Sequence, residues 1–160
     1  MLDQSTINKI SKLHPKLRNE VLQIVKDLIE KGIIIRIVQG LRTFDEQHKL
    51  FLQRPKITNA DAGQSYHNYG LAIDFCLLVD KDKNGTYESI SWDLNADLDG
   101  DKKKDWLEVV EEFEKHGWSW GGYWKFKDNP HFEKTFGYNF KQLLEKLRNK
   151  QLDKEGYILL

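Results

Sequence analysis

The stretch "SYHNYGLAIDF", residues 65–75, sets His67 in a glycine-bearing loop and Asp74 inside an apolar run. Its continuation "LAIDFCLLV" (71–79) reads as a buried β-strand, yet Asp74 stands between Ile73 and Phe75. An ionised carboxylate in such a strand is costly unless a cation or a set of donors compensates it. A metal ion would account for both Asp74 and the otherwise unexplained His67.

Upstream, Ser5 or Thr6 can cap a first helix. The segment "NEVLQIVKDLIEKG" repeats Val21, Leu22, Val25, Leu28 and Ile29 at helical spacing and stops at Gly32. "IIIRIVQG" follows as a β-branched strand ending at Gly40. "TFDEQHKLFLQ" is a helix capped by Thr43, with Glu46 at the capping-box position, and residues 54–64 form a loop. Downstream, residues 80–105 make a polar insertion rich in Asp, Asn and Gly. "WLEVVEEFEKHG" is a helix closed by Gly117, "WSWGG" and "HFEKTF" are short strands, and "NFKQLLEKLRNK" is a last helix before the apolar tail "GYILL". Strands and helices mix without a regular repeat, so the expected class is α+β: a small antiparallel sheet flanked by helices, one domain over residues 1–160.

With 25 basic and 25 acidic residues the formal net charge is zero. No global field favours nucleic acid or an anionic membrane. Cys76 is the single cysteine, so no intramolecular disulfide can form and a metal site must draw on His, Asp and Glu. Residues 1–20 lack the apolar core of a signal peptide, and no later run approaches membrane-spanning length. The expectation is a monomer made in the cytoplasm, with no stable membrane association.

Of the five histidines, His14, His48 and His116 have ordinary explanations: a cap, a solvated face, a cation at a helix end. His67 and His131 each sit in a turn-to-strand passage beside a carboxylate, Asp74 after the first and Asp128 before the second. Together they can supply a two-histidine, one-carboxylate zinc site, and zinc with three protein ligands keeps its fourth position for water. Asp128, across "DNPH" from His131, can point into the same pocket as a proton acceptor without being a ligand. From spacing alone, a zinc site and coincidence stand level.

"SYHNYGLAIDF" matches the serine-x-histidine-x-x-glycine-x-alanine-x-aspartate signature of the LAS metallopeptidases, a group with a hedgehog-type fold that includes D-alanyl-D-alanine carboxypeptidases. "QGLRTFDEQHKLF" resembles the arginine-bearing segment of the VanY-like branch and "WGGYWKFKDNPHFE" its second histidine motif. "LHPKLR" and "GYILL" resemble the L-alanyl-D-glutamate endopeptidases of phage endolysins and CwlK-type wall enzymes. The resemblance implies that His67, Asp74 and His131 hold zinc, that Asp128 is the catalytic acid/base and that Arg42 stabilises the oxyanion. It further implies a peptidoglycan stem peptide as substrate and, with no separate wall-binding domain expected, a lysis enzyme reaching the wall after holin-type release. Aspartate rather than glutamate at position 128 tilts the reading towards an endopeptidase.

Ser65 reads as a residue that orients a ligand or substrate, or as a plain turn residue. Tyr123 and Trp124 are candidate substrate contacts, at least one of Trp118 and Trp120 is a core residue, and Gly121 and Gly122 let the backbone approach closely or turn sharply. In the insertion, Asn95, Asp97, Asp99 and Asp101 imitate the start of a calcium loop, as do Asp80, Asp82 and Asn84. Counted from Asn95 and Asp80, the twelfth positions are Trp106 and Ser91, so a solvated Asx-turn loop is preferred over Ca2+ binding. The rival functions are a D-alanyl-D-alanine carboxypeptidase or dipeptidase, a zinc-stabilised wall-binding module, and a structural protein whose His and Asp residues coincide.

Overall fold

A computed structural model describes residues 2–160. Helices α1 (Gln4–Ile10) and α2 (Pro15–Glu30) precede β1 (Ile35–Gln39) and α3 (Phe44–Leu52). A 3₁₀ turn (Tyr66–Tyr69) then leads into β2 (Ala72–Val79), followed by β3 (Ser89–Ser91), α4 (Asp105–Lys115) and β4 (Ser119–Trp120). A second 3₁₀ turn (Gly121–Tyr123), β5 (His131–Glu133) and α5 (Phe140–Arg148) complete the chain. The sheet runs β1-β2-β5-β4 with β3 also paired to β2, and every pairing is antiparallel. The fold is therefore the α+β arrangement that the sequence suggested.

Strand β2 is buried on both faces, and its alternation divides the molecule. Ile73, Phe75 and Leu77 point one way, into a core where Phe75 meets Trp106 of α4 and Phe132 stacks on Phe113. Asp74 and Cys76 point the other way. Helix α1 covers the Cys76 half of that second face: Asp3 binds Arg36 at 2.7 Å, and Thr6 is fully buried against β1. The Asp74 half is left open as a cleft.

One cap differs from expectation. Asp3, not Ser5 or Thr6, caps α1 by accepting from the Thr6 N–H at 2.9 Å. The Thr6 hydroxyl is engaged instead with β1, accepting from the Ile37 N–H at 3.0 Å. At α3 the expected box of Thr43 and Glu46 is present. His14 caps α2 through Nδ1, which accepts from Lys16, while Nε2 donates to the Ile158 carbonyl at 2.8 Å and fastens the "GYILL" tail.

Both acidic loops form Asx turns, the second with Asp97, Asp99 and Asp101 accepting from the Gly100, Asp101 and Lys103 N–H groups, and they differ in which carboxylates they gather. Around Asp80 the carboxylates accept from the loop's own Asn84 and Gly85 N–H groups, as an Asx-turn loop should. The second loop draws together Asp97, Asp99 and Asp101, and Asp99 with Asp105 and Glu108. Asn95 precedes this cluster, in a turn where its N–H donates to Asp93 at 2.9 Å.

Candidate active site

Three segments converge on the open half of the sheet. A bulge at Val38, between the pairs Ile37–Phe75 and Gln39–Asp74, turns the end of β1 towards the 3₁₀ turn. There the Arg42 N–H donates to the His67 carbonyl at 2.9 Å. The 3₁₀ turn is capped by Ser65, whose hydroxyl accepts from the His67 N–H at 3.3 Å, and it closes on Gly70 at φ 70°. Gly70 is required there, because a Cβ would lie 2.6 Å from the His14 nitrogen. In the sheet, Asp74 of β2 pairs with His131 of β5, so both side chains rise from the same face.

The result is a compact trio: ligand atoms of His67, Asp74 and His131 all lie within 4.8 Å of one another. His67 Nε2 is 3.3 Å from Asp74 Oδ2, and His131 Nδ1 is 3.0 Å from Asp74 Oδ1. Each imidazole has its other nitrogen engaged on the outside. His67 Nδ1 donates to the Gly40 carbonyl at 2.8 Å, and His131 Nε2 is 3.6 Å from Glu133. Outer partners of this kind fix the ring orientation and leave the inner nitrogen free as a ligand. The donor set of two imidazole nitrogens and one carboxylate, buried and pre-oriented, fits a divalent transition metal.

Burial would raise the Asp74 carboxyl, but the two imidazoles outweigh it and hold Asp74 well below the usual carboxylate range. Burial likewise opposes charge on His131. Asp74 and Glu133 override it, raising His131 to about 9. The pocket is thus arranged around a positive charge between these side chains.

Asp128 and Arg42 flank the trio. Asp128 Oδ2 lies 4.0 Å from His131 Nδ1, and its side chain is 47% exposed, on the open side. Burial and the neighbouring Asp74 push its carboxyl above the ordinary range, against His131, His67 and Arg42. The Asp128 segment is clamped. Its N–H donates to the Gly121 carbonyl at 3.0 Å, and the indoles of Trp106 and Trp120 both donate to the Asn129 carbonyl. Arg42 Nη2 is 4.0 Å from Asp74 Oδ2, while Nη1 donates to Gln47 at 2.9 Å. Its Nε is buried and has no hydrogen-bond partner among the described residues.

These side chains line a cleft of ≈ 490 Å³. Ser65 and Trp124 line it too, Trp124 with its ring 5.2 Å from that of His131. Tyr123 does not. It packs edge-on against Trp120 and borders a different hollow, which corrects the pairing of Tyr123 with Trp124. Trp118 and Trp120 are both core.

Sequence reasoning missed three neighbours. Gln47 is fully buried and links Arg42 to the Ala60 carbonyl, and Asn68 ties the 3₁₀ turn to the Arg42 and Thr43 carbonyls. Glu133 stands behind His131. Only Glu133 had a legible signal, two residues after His131 on the same face of a strand.

Known proteins resemble this chain in sequence and in fold. The family model described as D-alanyl-D-alanine carboxypeptidase matches residues 58–134, a span that takes in His67, Asp74, Asp128 and His131 but not Arg42. The peptidoglycan L-alanyl-D-glutamate endopeptidase CwlK of Bacillus subtilis is 46% identical over 129 residues, 77% of this chain and 74% of that protein. The crystal structure of the Serratia marcescens L-Ala D-Glu endopeptidase ChiX superposes with a TM-score of 0.57 at 19% identity. It covers 83% of this chain and 88% of that one, a likeness of fold.

Proposed function

The chain belongs to the peptidase family of CwlK, and from that premise we propose that it is a zinc-dependent peptidoglycan hydrolase cleaving the L-alanyl-D-glutamate bond of the stem peptide. The observation that carries the reading is the pre-oriented trio of His67, Asp74 and His131, with Asp128 and Arg42 on its open side. A zinc ion held by the trio would supply Lewis-acid polarisation of the scissile carbonyl and acidify a water molecule.

The protein's own groups do the rest. Asp128, with its carboxylate exposed on the open side of the trio, accepts the proton of the attacking water and returns it to the leaving amine nitrogen. Arg42 offers guanidinium N–H donors to the carbonyl oxygen as negative charge develops, and Gln47 holds that guanidinium in place. Trp124 gives the cleft an apolar wall against which a stem-peptide side chain can pack. Ser65 orients His67 through its backbone.

The same reading places the action at the cell wall, in a phage-type lysis role after release through a membrane lesion. No helix among the described residues is long and apolar enough to cross a membrane. Purified peptidoglycan digested with and without chelator, its new termini read by mass spectrometry, tests the reaction. New N-terminal D-glutamate that disappears on chelation and returns with zinc supports it. Released D-alanine would instead assign the carboxypeptidase activity after which the matching family model is described.

A further inference from the structure

The segment Asp97-Leu-Asp-Gly-Asp-Lys-Lys-Lys-Asp-Trp-Leu-Glu108 takes no part in the cleft. Its carboxylates nevertheless converge: Asp97, Asp99 and Asp101 present oxygens within 4.8 Å of one another, and so do Asp99, Asp105 and Glu108. Asp99 joins the two trios into one cup. The first three residues are exposed on the loop, whereas Asp105 and Glu108, at the start of α4, are 1% and 7% exposed.

A merely solvated acidic loop would turn its carboxylates to water. Here Glu108 Oε2 is buried without a hydrogen-bond partner among the described residues, on a carboxylate that comes within 4.8 Å of Asp99 and Asp105. A buried carboxylate oxygen with no donor is costly, and a hard cation supplies what is missing. The adjacent lysines do not fill the cup. Among the described residues only Lys103 reaches it, 3.7 Å from Asp101 at an exposed position where such a pair contributes little.

Counted from Asp97, the carboxylates fall at the first, third, fifth, ninth and twelfth positions, with the glutamate on the helix that leaves the loop. That is the ligand order of an EF-hand loop. Lys102, at the sixth position where such loops turn sharply on glycine, has φ 73° and makes the left-handed turn.

We propose that residues 97–108 form a calcium site, ligated by Asp97, Asp99, Asp101, Asp105 and Glu108 and independent of the zinc trio. Five carboxylates on a loop suit the larger, more adaptable shell of calcium better than the strict octahedron of magnesium. The site also adjoins the cleft through one link: Trp106, tenth in the loop, donates its indole N–H at 3.2 Å to the Asn129 carbonyl between Asp128 and His131. The proposal does not rest on the peptidase reading above.

The test is titration of the zinc-loaded full-length chain with CaCl2 by calorimetry, alongside Tb3+ luminescence excited through tryptophan. One saturable calcium per chain is expected by about 1 mM, the weak end of the range for such loops, with a rise in Tm. Glu108→Gln and the exposed Asp101→Asn should each weaken binding about tenfold or more, while His67→Ala leaves it unchanged. Asp101→Asn keeps the test valid if the buried variant fails to fold. Absence of binding by about 1 mM, or binding that survives Asp101→Asn but is lost in His67→Ala, would overturn the site.

Discussion

At the residue scale, the proposed mechanism would divide the work between Asp128 and Arg42, one moving a proton and the other meeting developing charge. Asp128→Ala is expected to lower kcat by at least about 100-fold while the chain retains its metal, measured as turnover of muropeptide beside metal content. Undiminished turnover would remove Asp128 from the mechanism. Burial and Asp74 raise the Asp128 pKa in the metal-free chain, whereas a dication beside it would lower it; because Asp128 accepts a proton only when ionised, kcat/KM of the metal-loaded protein should still show an acid limb. The profile, recorded with metal content held constant, checks this; an acid limb that persists unchanged in the residual activity of Asp128→Ala sinks the assignment. Gln47 is a positioning residue, and Gln47→Leu should cost about tenfold in kcat with little change in KM, since the donors of Arg42 lose their anchor. Asp74 and His67 drew attention through one carboxylate misplaced in an apolar strand, and His131 through its place in "DNPH" and the family resemblance. Gln47 was not, because a glutamine on a helix gives no sign of being fully buried.

Elements carry the cleft through their ends. The capping box of α3, with Thr43 one residue after Arg42, fixes where that helix begins, so Thr43→Ala should destabilise the chain by about 1 kcal/mol in chemical denaturation. An unchanged midpoint would mean the box is not formed in solution. Gly121 sits where a Cβ would come 2.5 Å from the Asp128 carbonyl oxygen. Gly121→Ala should therefore displace the clamped 128–131 segment, losing most activity while circular dichroism stays native. These two were anticipated differently. The box follows from Thr43 and Glu46 three residues apart, a local rule. Gly121 announced only that something comes close, and the 128–131 segment that does so is a tertiary fact. Caps that compete with tertiary partners escape local rules altogether, as Thr6 shows by bonding β1 while Asp3 takes its place.

At the scale of the whole molecule, the trio links metal, proton and stability. In chelated protein the raised pKa of His131 contributes stability fully present below 6.5 and lost as pH rises through about 9. The lowered pKa of Asp74 contributes stability present above 3.8 and lost as pH falls through its depressed value. Thermal melts of chelated protein should therefore be most favourable between 3.8 and 6.5 as far as this pair is concerned. Its contribution should decline towards about 9 in a way that His131→Asn removes. Metal binding should run the other way, tightening as pH rises because it displaces the His131 proton, and calorimetry in buffers of different ionisation enthalpy would read that release. The sequence by itself determined the α+β class and the helices and strands of strong periodicity, since these depend on local spacing; the side chains of the trio were singled out by a lone charge in an apolar strand together with the family resemblance. Only the tertiary structure decided that the bulge at Val38 brings Arg42 to His67 and that Trp124 and not Tyr123 faces the cleft. Those outcomes turn on register and on which backbone crosses which, and no residue records them until the chain has folded back on itself.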